Sequence, residues 1–109
     1  MSVTHIVLVA FKPDAQPEAI DKFCSTLMAL KDTCLHAVTK KPYIKSLTGG
    51  INRSQEGHSD GLTHGFIFEL ESEEDRQYFV HQDPAHLALY DLAGAVEKFT
   101  LLAFVPGVF

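Results

Sequence analysis

Positive charge is scarce in this chain of 109 residues: nine Lys and Arg stand against fourteen Asp and Glu, a formal net charge of -5, and no basic cluster is longer than Lys40-Lys41. Phosphate backbones and anionic lipid surfaces are bound through dense cationic patches. Nucleic acid and membrane are therefore not expected partners. Long hydrophobic runs are missing too. Ile6 to Phe11 is apolar, but it is too short for a signal segment or a membrane span and no basic stretch precedes it. Cysteine is limited to Cys24 and Cys34, which read as belonging to one helix, about 15 Å of rise apart, too far for a disulfide within the subunit. Two reduced thiols suit a cytoplasmic protein.

What is present suits one compact domain over residues 1–109, with 46% hydrophobic and 21% charged residues. A chain of this size buries only about two-thirds of its unfolded surface, so a partner subunit would help. Val3 to Phe11 (VTHIVLVAF) is rich in Val and Ile and predicts a strand, yet its apolar residues do not alternate with polar ones, so both faces need cover. Ile20, Phe23, Cys24, Leu27 and Leu30 then fall at helical spacing through about Cys34. Lys41 to Thr48 predicts a weaker strand, and Gly49 to Gly61 a polar, glycine-rich loop.

From Thr63 to Leu70 the alternation puts His64, Phe66, Phe68 and Leu70 on one side of a third strand. Ser72, with Asp75 three residues on, starts a short helix that Tyr78 is expected to end. Asp83-Pro84 fits an N-cap followed by proline at the first helical position. Leu87, Leu89, Tyr90, Ala93, Val96 and Phe99 predict a second buried helical stripe, and Leu101 to Val105 a closing strand stopped by Pro106. The order is that of an α+β, ferredoxin-like βαββαβ fold. Helices cover one face of such a sheet. The other face, with Ile6, Leu8, Ala10 and Ile67, is expected to meet a second copy in a homodimer.

Histidine carries the expected chemistry. His86 falls in the first turn of a helix, whose positive end disfavours imidazolium and lowers its pKa, leaving a neutral base. Asp83 pushes the other way if its carboxylate turns towards the ring rather than capping the backbone. His5 and His64, each following a threonine, are expected side by side on parallel neighbouring strands. Val7, Val9 and Phe11 would share a face with Phe66 and Phe68, closed from above by Phe23 and Leu27, which would leave room for a small hydrophobic molecule. Tyr90, one helical turn past His86, and Tyr78 are alternative hydroxyl donors to a substrate carbonyl. Each histidine has a plain structural alternative as a hydrogen-bonded core residue. His58-x-Asp60 with His64, and His81-x-Asp83 with His86, offer ligands without matching a strong signature, so no metal and no cofactor is expected. Cys24 on the apolar stripe lacks an activating partner.

These segments together, THIVLVAFKPDA, GGINRSQEG, THGFIFELES and the stretch from Tyr78 to Pro84-Ala85-His86, resemble the stress-responsive A/B barrel, or dimeric α+β barrel, family over essentially the whole chain. The resemblance implies two ferredoxin-like subunits packed into a barrel. The family includes a cofactor-free polyketide cyclase of aldol type and a plant hydroxynitrile lyase, so a lyase or cyclase activity is one implication and a non-catalytic, stress-related or ligand-binding dimer the other. Matched by motif, His86 is the base, His5 and His64 lie near the pocket, and Val7, Val9, Phe23, Cys24, Leu27, Phe66 and Phe68 form its wall. The assisting tyrosine of the cyclase stands six residues before the base, where this chain has Val80. Tyr78 is eight away.

Overall fold

The computed structural model describes residues 1–109. Its elements are β1 (Val3–Phe11), α1 (Pro17–Thr33), β2 (Ile44–Ile51), β3 (His64–Leu70), α2 (Glu73–His81), α3 (Pro84–Ala88), a 3-10 segment (Leu89–Ala95) and β4 (Val96–Phe104). The four strands form one antiparallel sheet in the order β2-β3-β1-β4, a ferredoxin-like α+β arrangement. No helix is long and apolar enough to cross a membrane.

The register corrects one expectation. β1 and β3 are neighbours but antiparallel, with His5 opposite Phe68 and Val9 opposite His64. The crossover through α1 returns β2 in the direction of β1, and β3, an antiparallel partner of β2, then slots between them. His5 and His64 share a face, but they stand four residues apart along β1, about 14 Å, and not side by side.

Helix α1 opens with Pro17, whose missing N–H costs nothing there, and buries Phe23, Leu27 and Leu30 on one stripe. Ile20 and Cys24 are only partly buried beside it. The helix ends one residue before Cys34, which turns to an extended conformation while its N–H still reaches the Leu30 carbonyl at 2.9 Å, so the two cysteines do not share the helix. β2 runs on through Gly49 to Ile51, so the loop begins at Asn52 and not at Gly49. Ser72 caps α2 as expected, its Oγ accepting the Asp75 N–H at 3.1 Å. The helix continues past Tyr78 to His81.

The stripe expected after Pro84 is the larger correction. Only five residues are α-helical. Val96 and Phe99 belong to β4, Leu87 and Tyr90 are exposed, and of the six only Leu89 is buried. Val96, Phe99 and their neighbours pair with Phe11, Val9 and the rest of β1, and that long ladder outweighs the helical spacing of a few apolar residues. α3 survives because Asp83 caps it and Pro84 occupies its first turn.

The helices pack on the face carrying His5, Val7, Val9, Phe66 and Phe68, all of which are buried except for the adjoining His64 end, which is half-buried. No helix covers the opposite face, although Thr4 and Ala10 on it are buried, so Ala10 is not part of the open surface expected there. There Ile6, Leu8 and Ile67 line up with Leu102 and Phe104 of β4, and 60% of Leu102 is open to solvent. Polar pairs bound this apolar centre: Thr4 Oγ1 donates to Glu69 Oε1 at 2.8 Å at one end, and Lys98 Nζ meets Asp60 Oδ2 at 2.7 Å at the other.

Candidate active site

A cavity of about 150 Å³ opens between the covered sheet face and the helices. β1 contributes His5 and Val7 to its wall, α1 Phe23 and Leu27, and β3 Phe68. The far wall is Val80 of α2, His86 of α3, and Leu89, Tyr90, Phe99 and Leu101 from the 3-10 segment and β4. The only nitrogens offered by these side chains are those of the two imidazoles, and the only oxygen is the Tyr90 hydroxyl. Everything else is hydrocarbon.

His5 is fixed by the strand pleat, which turns it inward with Val7, and by edge-on contacts to Phe68 and Phe79, with ring centroids 5.9 and 5.8 Å away. It is 4% exposed, and burial, reinforced by the nearby Arg76 and His86, lowers its pKa from 6.5 to about 4. His86 leans on Phe79 at 4.3 Å, and the Tyr90 ring stands 5.7 Å beyond it. Its pKa is lowered too. Burial is the main cause, opposed by the Asp83 carboxylate and the Phe79 carbonyl. The direction agrees with the expectation from sequence, but the cause is desolvation. Nδ1 of His5 and Nδ1 of His86 are both buried without a hydrogen-bond partner. Two neutral imidazoles lining an apolar cavity can take a proton from a bound hydroxyl or acidic carbon and return it.

Asp83 caps the backbone and does not turn to the ring. Oδ1 accepts the Ala85 N–H at 2.9 Å and the His86 N–H at 3.5 Å, and Oδ2 accepts the Tyr43 hydroxyl at 2.5 Å. Burial and this carboxylate together raise the Tyr43 and Cys34 pKa values far above their ordinary ranges.

The cavity thus collects His5, Val7, Phe23, Leu27, Phe68, His86 and Tyr90 from the residues expected there. It leaves out five. Val9 and Phe66 are core residues further along the sheet, and Cys24 lies beside the stripe. His64 sits at the other sheet end, its ring edge-on to Phe11 at 4.9 Å and its Nδ1 2.9 Å from Thr63 Oγ1. Tyr78 packs on Tyr43 at 5.8 Å, outside the cavity. Val80, Leu89, Phe99 and Leu101 are walls that the sequence reading did not name. Val80 carried a signal, since it holds the spacing of six before His86, and an isopropyl group now faces the cavity where the cyclase pattern places a phenol. Neither proposed metal set converges: the Asp60 carboxylate holds Lys98, Asp83 is taken by Tyr43 and backbone, and no group of three or more His, Cys, Asp or Glu side chains is arranged to hold an ion.

Fold and site define a ferredoxin-like α+β protein with an apolar cavity lined by two neutral imidazoles. The stress responsive A/B barrel domain model matches residues 3–102, and the chain belongs to that family. No curated protein sequence matches it. Among solved structures it is similar to an Arabidopsis thaliana protein, at 27% identity over 98% of this chain and 97% of that one, TM-score 0.75. It is also similar to a hydroxynitrile lyase from Passiflora edulis, at 23% identity over 99% and 96%, TM-score 0.81. A third, from a Jannaschia species and described as a dimeric ferredoxin-like protein, is 14% identical over 96% and 99%, TM-score 0.74.

Proposed function

We propose that this chain forms a homodimer and acts as a cofactor-independent lyase or aldol-type cyclase on a small hydrophobic carbonyl compound. One observation carries the chemistry: the rings of His5 and His86, kept neutral by burial, line an otherwise apolar cavity. His86 is the base. In a lyase step it takes the hydroxyl proton of a cyanohydrin, the C–O bond becomes a carbonyl, and the bond to the nitrile carbon breaks with its electron pair leaving as cyanide. In an aldol step it takes the proton beside a carbonyl, the enolate carbon attacks a second carbonyl, and the alkoxide that forms there takes the proton back from His86. Tyr90, at the cavity, is better placed than Tyr78 to donate to the oxygen that gains charge. A void of about 150 Å³ takes a body about the size of one benzene ring, so a one-ring cyanohydrin or a short chain bearing two carbonyls is the substrate class.

Aromatic cyanohydrins and short acyclic diketones are the probes. Turnover by the wild type and a loss of at least about a hundredfold in His86→Ala, with melting temperature and assembly retained, is the expected result. An unchanged rate discards the mechanism. The ligand-binding alternative has its own support, since no side chain orients either inner imidazole nitrogen. It expects small aromatics to bind without reaction, and His86→Ala to lower the melting temperature.

The dimer is supported by the bare apolar face with its polar rim, the layout of a protein interface, and by the dimeric description of the Jannaschia neighbour. Leu102→Glu should convert the chain to monomer in sedimentation, and a wild type already monomeric at micromolar concentration would remove this part of the proposal.

A further inference from the structure

Asp83 is the one acidic side chain of this chain that is buried, 1% exposed, and it lies next to the shortest α-helix in the fold. A five-residue helix does not hold itself in place, and α3 contains no fully buried residue to anchor it. Something else must fix the direction of His86. Donors from two parts of the fold converge on the Asp83 carboxylate, the Tyr43 hydroxyl just ahead of β2 and the Ala85 and His86 N–H groups of α3 itself, and the Cys34 thiol at the end of α1 lies near enough to feel its charge. A buried carboxylate is tolerated only when so fully hydrogen-bonded.

We infer that Asp83 is the positioning residue of this site: anchored to the core by Tyr43, its carboxylate grips the turn that aims the His86 imidazole into the cavity. The inference rests on the reading of His86 as the base. Asp83 touches no reacting atom. It acts by geometry, and its negative charge also favours the imidazolium that forms when His86 accepts a proton. The groups facing His86 are Asp83 from its own turn, His5 from β1, the Phe79 carbonyl from α2, and Tyr90 from the 3-10 segment. Those near Asp83 are Tyr43, Cys34 and, around a second cavity, Tyr78, His36 and Lys40.

Two variants of the full-length protein test it. Asp83→Asn keeps an oxygen for the Ala85 and His86 N–H groups but removes the charge, and Tyr43→Phe keeps the charge but cuts an anchor. Asp83→Asn should lower kcat about tenfold with KM changed less than about threefold, and move the acidic limb of the pH-rate profile to lower pH. The imidazole proton resonances of His86, followed by NMR, should titrate at lower pH in the same variant. Tyr43→Phe should lower kcat severalfold with KM unchanged. A carboxylate that merely stabilised the fold would lower both melting temperatures and leave kcat and the His86 midpoint where they are, and that result overturns the inference. The NMR midpoint needs no turnover, so it tests Asp83 separately from any failure of His86 as base.

Discussion

The covered face of the sheet ends in two histidine environments built from the same strands, and they differ in one respect that decides their chemistry. At the His64 end the helix-covered side is filled: the ring meets Phe11 edge-on, Nδ1 has the Thr63 hydroxyl, and the neighbouring Phe66 presses so closely on β2 that a Cβ at Gly49 would collide with its ring and with the Gly65 carbonyl oxygen at 2.8 Å, while the groove that touches His64 is an open one shared with Leu8, Gly50, Asn52 and Ser59. At the His5 end the space is hollow, and two imidazoles border it with no partner for Nδ1. A histidine whose ring nitrogen is already paired has little free energy left to spend on a ligand, whereas an imidazole that lines a hollow can offer its other nitrogen to one.

The largest expected effect probes the hollow end. His5 and His86 are neutral in the folded chain at pH values where the unfolded chain binds protons, so the unfolded state holds more protons and stability falls as pH drops. For His5 the window runs from 6.5 down to about 4. Converted at about 1.4 kcal/mol per unit, that is up to about 3 kcal/mol lost across the window, with His86 acting in the same direction. Urea denaturation at pH 7 and pH 4 should show the loss, and His5→Leu should remove most of the His5 share. An equal loss in the variant would mean that His5 is not held neutral.

The next effect probes the filled end. Gly49→Ala should cost about 1–3 kcal/mol, because Phe66 and the backbone of β3 must both shift to admit one methyl group. The same substitution at Gly50, one residue on, meets nothing within 4 Å and should cost under about 1 kcal/mol, which makes it the internal control. Equal melting temperatures for the two variants would show that the His64 end is not tightly packed.

The contrast between the two ends was only half legible in the sequence. The inward set of β1 and β3 could be read because strand periodicity is strict: Val7, Phe66 and Phe68 share a face in any register that pairs these strands in phase. Periodicity says nothing about strand direction, however. A parallel pairing brought His5 and His64 together on paper, and the antiparallel one separates them. The helical stripe after Pro84 failed for a related reason. Leu89, Val96 and Phe99 satisfy a helical spacing, but β1 needed a partner along its whole free edge, and β4 takes Val96 and Phe99 to supply it. Asp83 as N-cap was legible from Asp-Pro alone. Its bond to Tyr43, forty residues away, depends on tertiary packing that no local pattern encodes.

The smallest predicted effect is the most discriminating. His64→Ala should change turnover of any substrate by less than about threefold, since the ring lies about 14 Å of strand from His5 and takes no part in the cavity wall. Its cost should appear in stability, at about 1 kcal/mol, through the lost Thr63 contact and the exposed edge of Phe11. Because burial lowers the His64 pKa as well, the variant should also lose slightly less stability on acidification than the wild type. Steady-state kinetics and urea denaturation on the same preparation separate the two. If His64→Ala instead abolished activity with the fold intact, the reacting space would have to extend along the sheet past Val7 and Val9 to the far end, and the distinction between a hollow end that reacts and a filled end that supports would no longer hold.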